Sequence, residues 1–120
     1  MLNLDTHVLV FALTGDLTPA EVRLLTADSW SISAIVLWEL TKLAQIGRIE
    51  FDPDSAEFTR LFARIHVWPV GLAVARQSVQ LDFRGDPADD LIAATSVVHR
   101  IPLVTRDRVI RRSRVVPIAR

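Results

Sequence analysis

An α/β domain built on a parallel sheet is the fold this sequence predicts, and three observations predict it. Short apolar runs of strand length alternate along the chain with longer segments of helical periodicity. The helical segments open on residues suited to capping. Two prolines, which cannot donate to a sheet ladder, mark where the sheet should end.

The expected strands are Leu2–Leu4, Trp30–Ile32, His66–Val70, Leu103–Thr105 and Val115–Ile118. Pro69 and Pro117 fall in the third and fifth of these, which makes both of them edges. A sheet of about five strands in the order 3-2-1-4-5 follows, with the strands ending at Asp5 and Thr105 lying centrally. Helices are expected after Asp5, after Thr18 with Pro19, after Ser33, after Asp54 with Ser55, and after Asp86 with Pro87. Serine, threonine and aspartate at these places accept from free helix amides, and proline suits the first helical position.

At 120 residues, half of them hydrophobic, the chain is read as a single domain, 1–120, with one core. It has no cysteine, which excludes a disulfide framework and a thiolate zinc site and points to a reducing cytoplasm. The apolar start MLNLDTHVLVFAL carries Asp5 and has no basic leader, and no uncharged apolar run reaches the about eighteen residues that a membrane span needs. A soluble, cytoplasmic protein with no membrane association is expected.

The formal net charge is zero, which argues against an indiscriminate nucleic-acid binder. The charges are nevertheless uneven. From Arg100 onward the chain carries Arg106, Arg108, Arg111, Arg112, Arg114 and Arg120 against one acid, Asp107. Such a tail suits contact with phosphates, with Arg106, Arg108, Arg111 and Arg112 as the phosphate-binding candidates; a plain solvated face around the last strand is the alternative.

Asp5 closes the first strand, and in open parallel sheets ligands bind beyond the carboxyl ends of the strands. Capping of the helix that follows is the simpler explanation for a lone aspartate there. Asp107 repeats the pattern after the fourth strand. If strands one and four are neighbours, both carboxylates enter one crevice, which capping does not explain. Two carboxylates about 4 Å apart repel by roughly 4 kcal/mol at an effective dielectric near 20, so a cluster needs a shared proton or a hard divalent cation.

Glu39 falls inside the apolar arc Ile35, Val36, Leu40, Leu43, Ala44 and Ile46 of its helix, where burial of a charge is costly unless something pairs with it. An ion pair with Lys42 is the alternative. GDPADDLIAAT supplies Asp86, Asp89 and Asp90 around a helix start. Asp86 as N-cap with Asp89 in the first turn is an ordinary arrangement, and helical phase does not choose between Asp89 and Asp90.

Taken together, LDTHVLVFAL, SAIVLWELTKLAQIGRIEF and FRGDPADDLIAATSVVHRIPLVTRDRVI resemble the PIN-domain ribonucleases of the VapC toxin type. The likeness spans essentially the whole chain, and the order and spacing of the pieces make it specific. The resemblance implies a three-layer α/β/α sandwich and an endoribonuclease that hydrolyses phosphodiester bonds with Mg2+ or Mn2+, leaving a 5′-phosphate and a 3′-hydroxyl. By motif, the four catalytic acids are Asp5, Glu39, Asp89 and Asp107. Asp5 and Asp89 are the first choices as metal ligands, with Asp107 acting directly or through water. Thr6 and Thr105 match supporting hydroxyls. A cognate antitoxin that inserts a segment toward the acidic crevice and a homodimer formed through helical faces are the implied partners, beside RNA. The sequence departs from the family at Asp90, where a basic residue is common, and at Ile118-Ala119-Arg120, where an aromatic is expected.

Three other readings compete. Metal-free acid and base catalysis would use His7, His66 or His99. A non-catalytic interaction module would keep the fold while the acids serve only as caps, with Trp30, Trp38, Trp68 and Phe11 as interface or core groups. A phosphoryl receiver would need adjacent acids after the first strand and a lysine after the last, and neither is present; the one lysine, Lys42, lies within the helix of Glu39.

Overall fold

A computed structural model describes all 120 residues. Four parallel strands form the sheet: β1 (Leu2–Leu4), β2 (Trp30–Ser33), β3 (His66–Trp68) and β4 (Leu103–Val104), in the order β3-β2-β1-β4. Seven helices surround it: α1 (Thr6–Thr14), α2 (Pro19–Thr26), α3 (Ala34–Gln45), α4 (Ala56–Phe62), α5 (Leu72–Ser78), α6 (Pro87–His99) and α7 (Arg108–Arg111). The register is set by Leu2 opposite Trp30, Asn3 opposite Leu103 and Ser31 opposite His66. The α/β class and the neighbouring of strands one and four are as the sequence predicts.

The expected fifth strand, Val115–Ile118, is reduced to one parallel bridge between Ile118 and Leu103. Pro117 explains the outcome. Its carbonyl accepts from the Leu103 amide at 2.8 Å and the Ala119 amide donates to the Leu103 carbonyl at 2.9 Å, but proline has no N–H with which to lengthen the ladder. The third strand likewise stops at Trp68 just before Pro69, two residues short of expectation. Thr105 lies one residue beyond β4, and the cap of α4 is Ser55, not Asp54.

Local chemistry accounts for the helix starts. Thr18 accepts from the Glu21 amide at 3.2 Å while Glu21 accepts from the Thr18 amide at 2.8 Å, a complete capping box in front of α2. Ser33 and Ser55 cap α3 and α4 in the same manner. The core runs through the sheet and its covering helices: Leu4, Ile32 and Leu103 are fully buried with Val8, Leu9, Val36 and Ala93. Strands buried on both faces read as the short apolar runs seen in the sequence.

One buried polar contact registers α6 against the sheet. Asn3 of β1 donates from Nδ2 to the Ile92 carbonyl at 3.1 Å and to Ser96 Oγ at 2.9 Å. Because α6 begins at Pro87, this contact fixes where its first turn, with Asp89, stands relative to the end of β1.

Helix α6 ends at Arg100 with φ of 55°, the left-handed conformation in which an L side chain is disfavoured. Arg100→Gly is expected to raise unfolding stability by about 1 kcal/mol, measured by urea denaturation. A loss of stability would show that the arginine side chain outweighs the backbone strain.

Candidate active site

Strand β1 delivers Asp5 to the carboxyl edge of the sheet, where the residue is only 6 % exposed. By position it is the N-cap of α1, yet its side chain makes no capping hydrogen bond to the helix. Oδ2 accepts instead from Thr105 Oγ1 at 2.7 Å, and Oδ1 is buried without a partner. Capping therefore does not account for Asp5. Asn3 Oδ1 and Trp68 Nε1 are also buried without partners, but of the three atoms only that of Asp5 belongs to an ionisable group. Burial pushes the Asp5 pKa up, opposed by the Thr105 hydrogen bond, by His7 and by the Thr6 amide and reinforced by Asp107.

Glu39, half-buried on α3, accepts from Thr6 Oγ1 at 2.5 Å. The alternative ion pair with Lys42 is not formed; Lys42 donates to Gln45 Oε1 at 3.3 Å. Burial is again the main cause that raises the Glu39 pKa, with the charges of Asp5 and Asp86 adding to it and Thr6 and His7 opposing it. Val36 and Leu40 of the expected apolar arc are buried, whereas Ile46 follows the end of the helix and is 63 % exposed.

The pair left open by helical phase divides clearly. Asp90 Oδ1 accepts from the Gly85 amide at 3.1 Å and so ties down the loop before α6. Asp89 feels the other acids: burial first, then the charges of Asp5, Glu39, Asp86 and Asp107, push its pKa up from 3.8 to about 6. Asp86 joins this field as a fifth acid. It occupies the N-cap position of α6 but makes no side-chain cap bond, and its charge bears on both Glu39 and Asp89. The sequence offered Asp86 as an ordinary N-cap and left open whether it joins the acidic site.

For Asp107 both readings hold. Its Oδ1 accepts from the Val109 and Ile110 amides at 2.8 and 3.1 Å and caps α7. Its charge also reaches Asp5 and Asp89. Thr105 Oγ1 links the two acids directly, accepting from the Asp107 amide at 3.1 Å while donating to Asp5. Asp5, Glu39, Asp89 and Asp107 thus share one electrostatic neighbourhood at the carboxyl ends of β1 and β4. They do not form a closed ligand set, since no three acidic or histidine side chains stand close enough to hold an ion together.

The structure separates the tail arginines. Arg106 is turned onto α2: Nε and Nη2 donate to the Glu21 carboxylate at 2.8 and 2.7 Å, Nη2 donates to the Asp16 carbonyl at 2.8 Å, and the guanidinium lies 3.8 Å from the Phe11 ring centre. Arg106 holds the Glu21 pKa down at about 2. Arg111 donates from Nη1 to the Thr105 carbonyl at 3.0 Å, and the exposed Arg108 and Arg112 make no side-chain bond. Among the histidines, His7 stands beside the acids, whereas His66 and His99 flank Trp68, with ring centres 4.2 and 3.9 Å from it. Trp38 is 56 % exposed on the outer face of α3.

The raised Asp89 pKa has a definite sign for stability. Between pH about 4 and 6 the folded chain holds more of this proton than the unfolded chain, so the contribution of Asp89 to stability falls as pH rises through that window. Asp89→Asn is therefore expected to stabilise the metal-free protein at pH 7 by about 1–2 kcal/mol, a figure reduced for partial exposure, and to have little effect at pH 4. Urea denaturation at the two pH values checks this; a variant equally or less stable at pH 7 would remove the inferred repulsion.

Residues 3–115 match the PIN domain family. Over 92 residues, 73 % of this chain and 70 % of the relative, the sequence is 40 % identical to ribonuclease VapC22 of Mycobacterium tuberculosis. Among solved structures, VapBC2 from Rickettsia felis bound to a promoter DNA fragment gives a TM-score of 0.73 at 19 % identity, covering 99 % of this chain and 98 % of that one. DNA-bound VapBC from Salmonella typhimurium gives 0.75 at 20 % identity, covering 98 % and 96 %. At such identities these two structures speak to the shared fold, while the sequence matches speak to the family. The chain belongs to the PIN-domain family, in its VapC branch.

Proposed function

We propose that this protein is a metal-dependent endoribonuclease, the toxin component of a toxin–antitoxin pair, and that Asp5, Glu39, Asp89 and Asp107 are its catalytic acids. The observation that carries the reading is the state of Asp5: a buried carboxylate that caps nothing, has one oxygen without a partner, and lies in the repulsive field of other acids. Such an arrangement is costly for the chain alone and is relieved by a divalent cation.

The donor chemistry, though not a preformed ligand cage, suits that ion. Hard carboxylate oxygens are the donors that Mg2+ or Mn2+ prefers, and Asp5 Oδ1 is a buried carboxylate oxygen without a protein partner. Asp5 and Asp89 would hold the ion directly, with Asp107 close by through its second oxygen, Oδ1 being engaged at α7. When bound, the ion supplies Lewis-acid polarisation of the phosphoryl oxygen and lowers the pKa of water. The chain supplies orientation. Thr105 fixes the Asp5 carboxylate, and Thr6 fixes Glu39 so that its second oxygen can orient a water toward the phosphorus. The expected products are a 5′-phosphate and a 3′-hydroxyl.

Two partners complete the reading. The VapBC structures noted above are toxin–antitoxin complexes of related fold, and a cognate antitoxin reaching the acidic crevice is proposed here too. A homodimer through helical faces is proposed with it, the exposed Leu72 and Val79 being apolar groups available on or beside α5. No helix is long and apolar enough to cross a membrane, and the proposed place of action is the cytoplasm.

Asp5→Asn keeps shape and removes charge. With total RNA and manganese, the variant is expected to cleave about a hundredfold more slowly or worse, with cut ends mapped to establish their chemistry. Manganese is expected to raise the melting temperature of the wild type and not of the variant. Equal cleavage by a folded variant, or activity that survives excess chelator, would overturn the assignment.

A further inference from the structure

A cavity of about 490 Å3 lies between the start of α2 and the segment after β4, and Thr105 belongs to its wall. The same threonine holds Asp5, so cavity and acidic crevice share one residue as their partition. Four guanidinium groups line the cavity, those of Arg106, Arg108, Arg111 and Arg120, against one carboxylate, Glu21.

These charges are not equivalent. Arg106 is matched by Glu21, which accepts from it through both oxygens, so this pair contributes no net charge to the cavity. Arg111 is oriented by one bond to the Thr105 carbonyl, and Arg120 by one bond at 3.1 Å to the Arg111 carbonyl. Neither bond neutralises charge. Arg108 has no partner in the protein. The cavity therefore carries an uncompensated positive charge on planar donors, two of them, Arg111 and Arg120, held by a bond, while the crevice beyond Thr105 is strongly negative. An extended polyanion whose reacting group must enter an acidic crevice needs such a positive neighbour, because each phosphate fixed there offsets the repulsion met by the next.

We propose that this cavity is a phosphate subsite, in which Arg108 and Arg111 grip a backbone phosphate of a single-stranded RNA adjacent to the bond presented to the acids. The inference rests on the ribonuclease reading and refines it. It assigns the phosphate contact to Arg108 and Arg111 and gives Arg106 a structural part, bracing α2 against the segment after β4. It also removes Arg112, which does not line the cavity, from the subsite. A carboxylate-rich protein segment offers weaker complementarity, since phosphate spacing along a strand can engage the cavity and the crevice together.

The test measures binding of a short fluorescein-labelled single-stranded RNA by anisotropy, at several salt concentrations, with magnesium present and on an Asp5→Asn background that keeps the strand intact. Adding Arg108→Ala is expected to weaken binding about tenfold and to lower the magnitude of the slope of log K against log salt by about 0.7. Arg60→Ala, an exposed arginine of α4 away from the cavity, should leave both unchanged. In the otherwise wild-type protein, Arg108→Ala should raise KM with little change in kcat. Arg111→Lys serves as a second variant that retains charge but loses the planar fork, with weakened binding and an unchanged salt slope expected.

Unchanged RNA affinity and slope in Arg108→Ala would overturn the subsite, as would a loss no greater than that in Arg60→Ala. Weakened capture of the antitoxin chain with RNA binding intact would overturn it in favour of a protein ligand. Failure of the wild type to cleave this RNA or total RNA with manganese would instead overturn the ribonuclease reading, which separates the two failures.

Discussion

The placement of like charges at the carboxyl ends of β1 and β4 is the constraint around which this structure is arranged. Aspartates that follow neighbouring parallel strands emerge at the same edge of the sheet. Burial and proximity then act together, raising the pKa values of Asp5, Glu39 and Asp89. An isolated stabilising network would instead pair these groups with cations, and the tail has arginines enough to do so. The fold keeps them apart: Arg106 is committed to Glu21, and Arg111 is directed at a carbonyl. Leaving the acids unneutralised by the protein preserves their capacity to bind an external cation.

The hydroxyls of Thr6 and Thr105 have a corresponding part. Each donates to one carboxylate oxygen and leaves the other unengaged. A hydroxyl orients a carboxylate without cancelling its charge, whereas a lysine or arginine in the same place would neutralise it. Rigid elements support these groups. Thr6 opens α1, Glu39 is carried by α3, and Asn3 holds α6 and thereby Asp89 in register with β1. Most of the acids that matter are thus set by strands and helices, with Asp107 additionally fixed by capping a short helix.

Much of this was legible in the linear chain. Alternation of apolar runs with capped helical segments gave the α/β class, and Pro69 and Pro117 correctly marked the ends of the sheet. Glu39 stood out because a charge inside an apolar arc requires an explanation. Other features were hidden. The fifth strand was overread because Pro117 was taken to make Val115–Ile118 an edge strand, whereas its missing N–H limits the run to one bridge with Leu103. Asp86 and Asp5 both sit at N-cap positions, and residue type alone cannot distinguish an aspartate that caps from one that merely occupies the cap position. The seven arginines beginning at Arg100 looked equivalent, although one is consumed by an acid eighty-five residues away.

The sequence by itself determined the fold class, the family and the elements on which the candidate acids lie, because periodicity, capping and motif order are local properties of the chain. Only the tertiary structure decided that Asp89 and not Asp90 meets the other acids, that Thr105 joins Asp5 to Asp107, and that Arg106 is spent on Glu21. These depend on strand order and on the direction of side chains from separate elements, and so on distances in space that residue spacing does not encode.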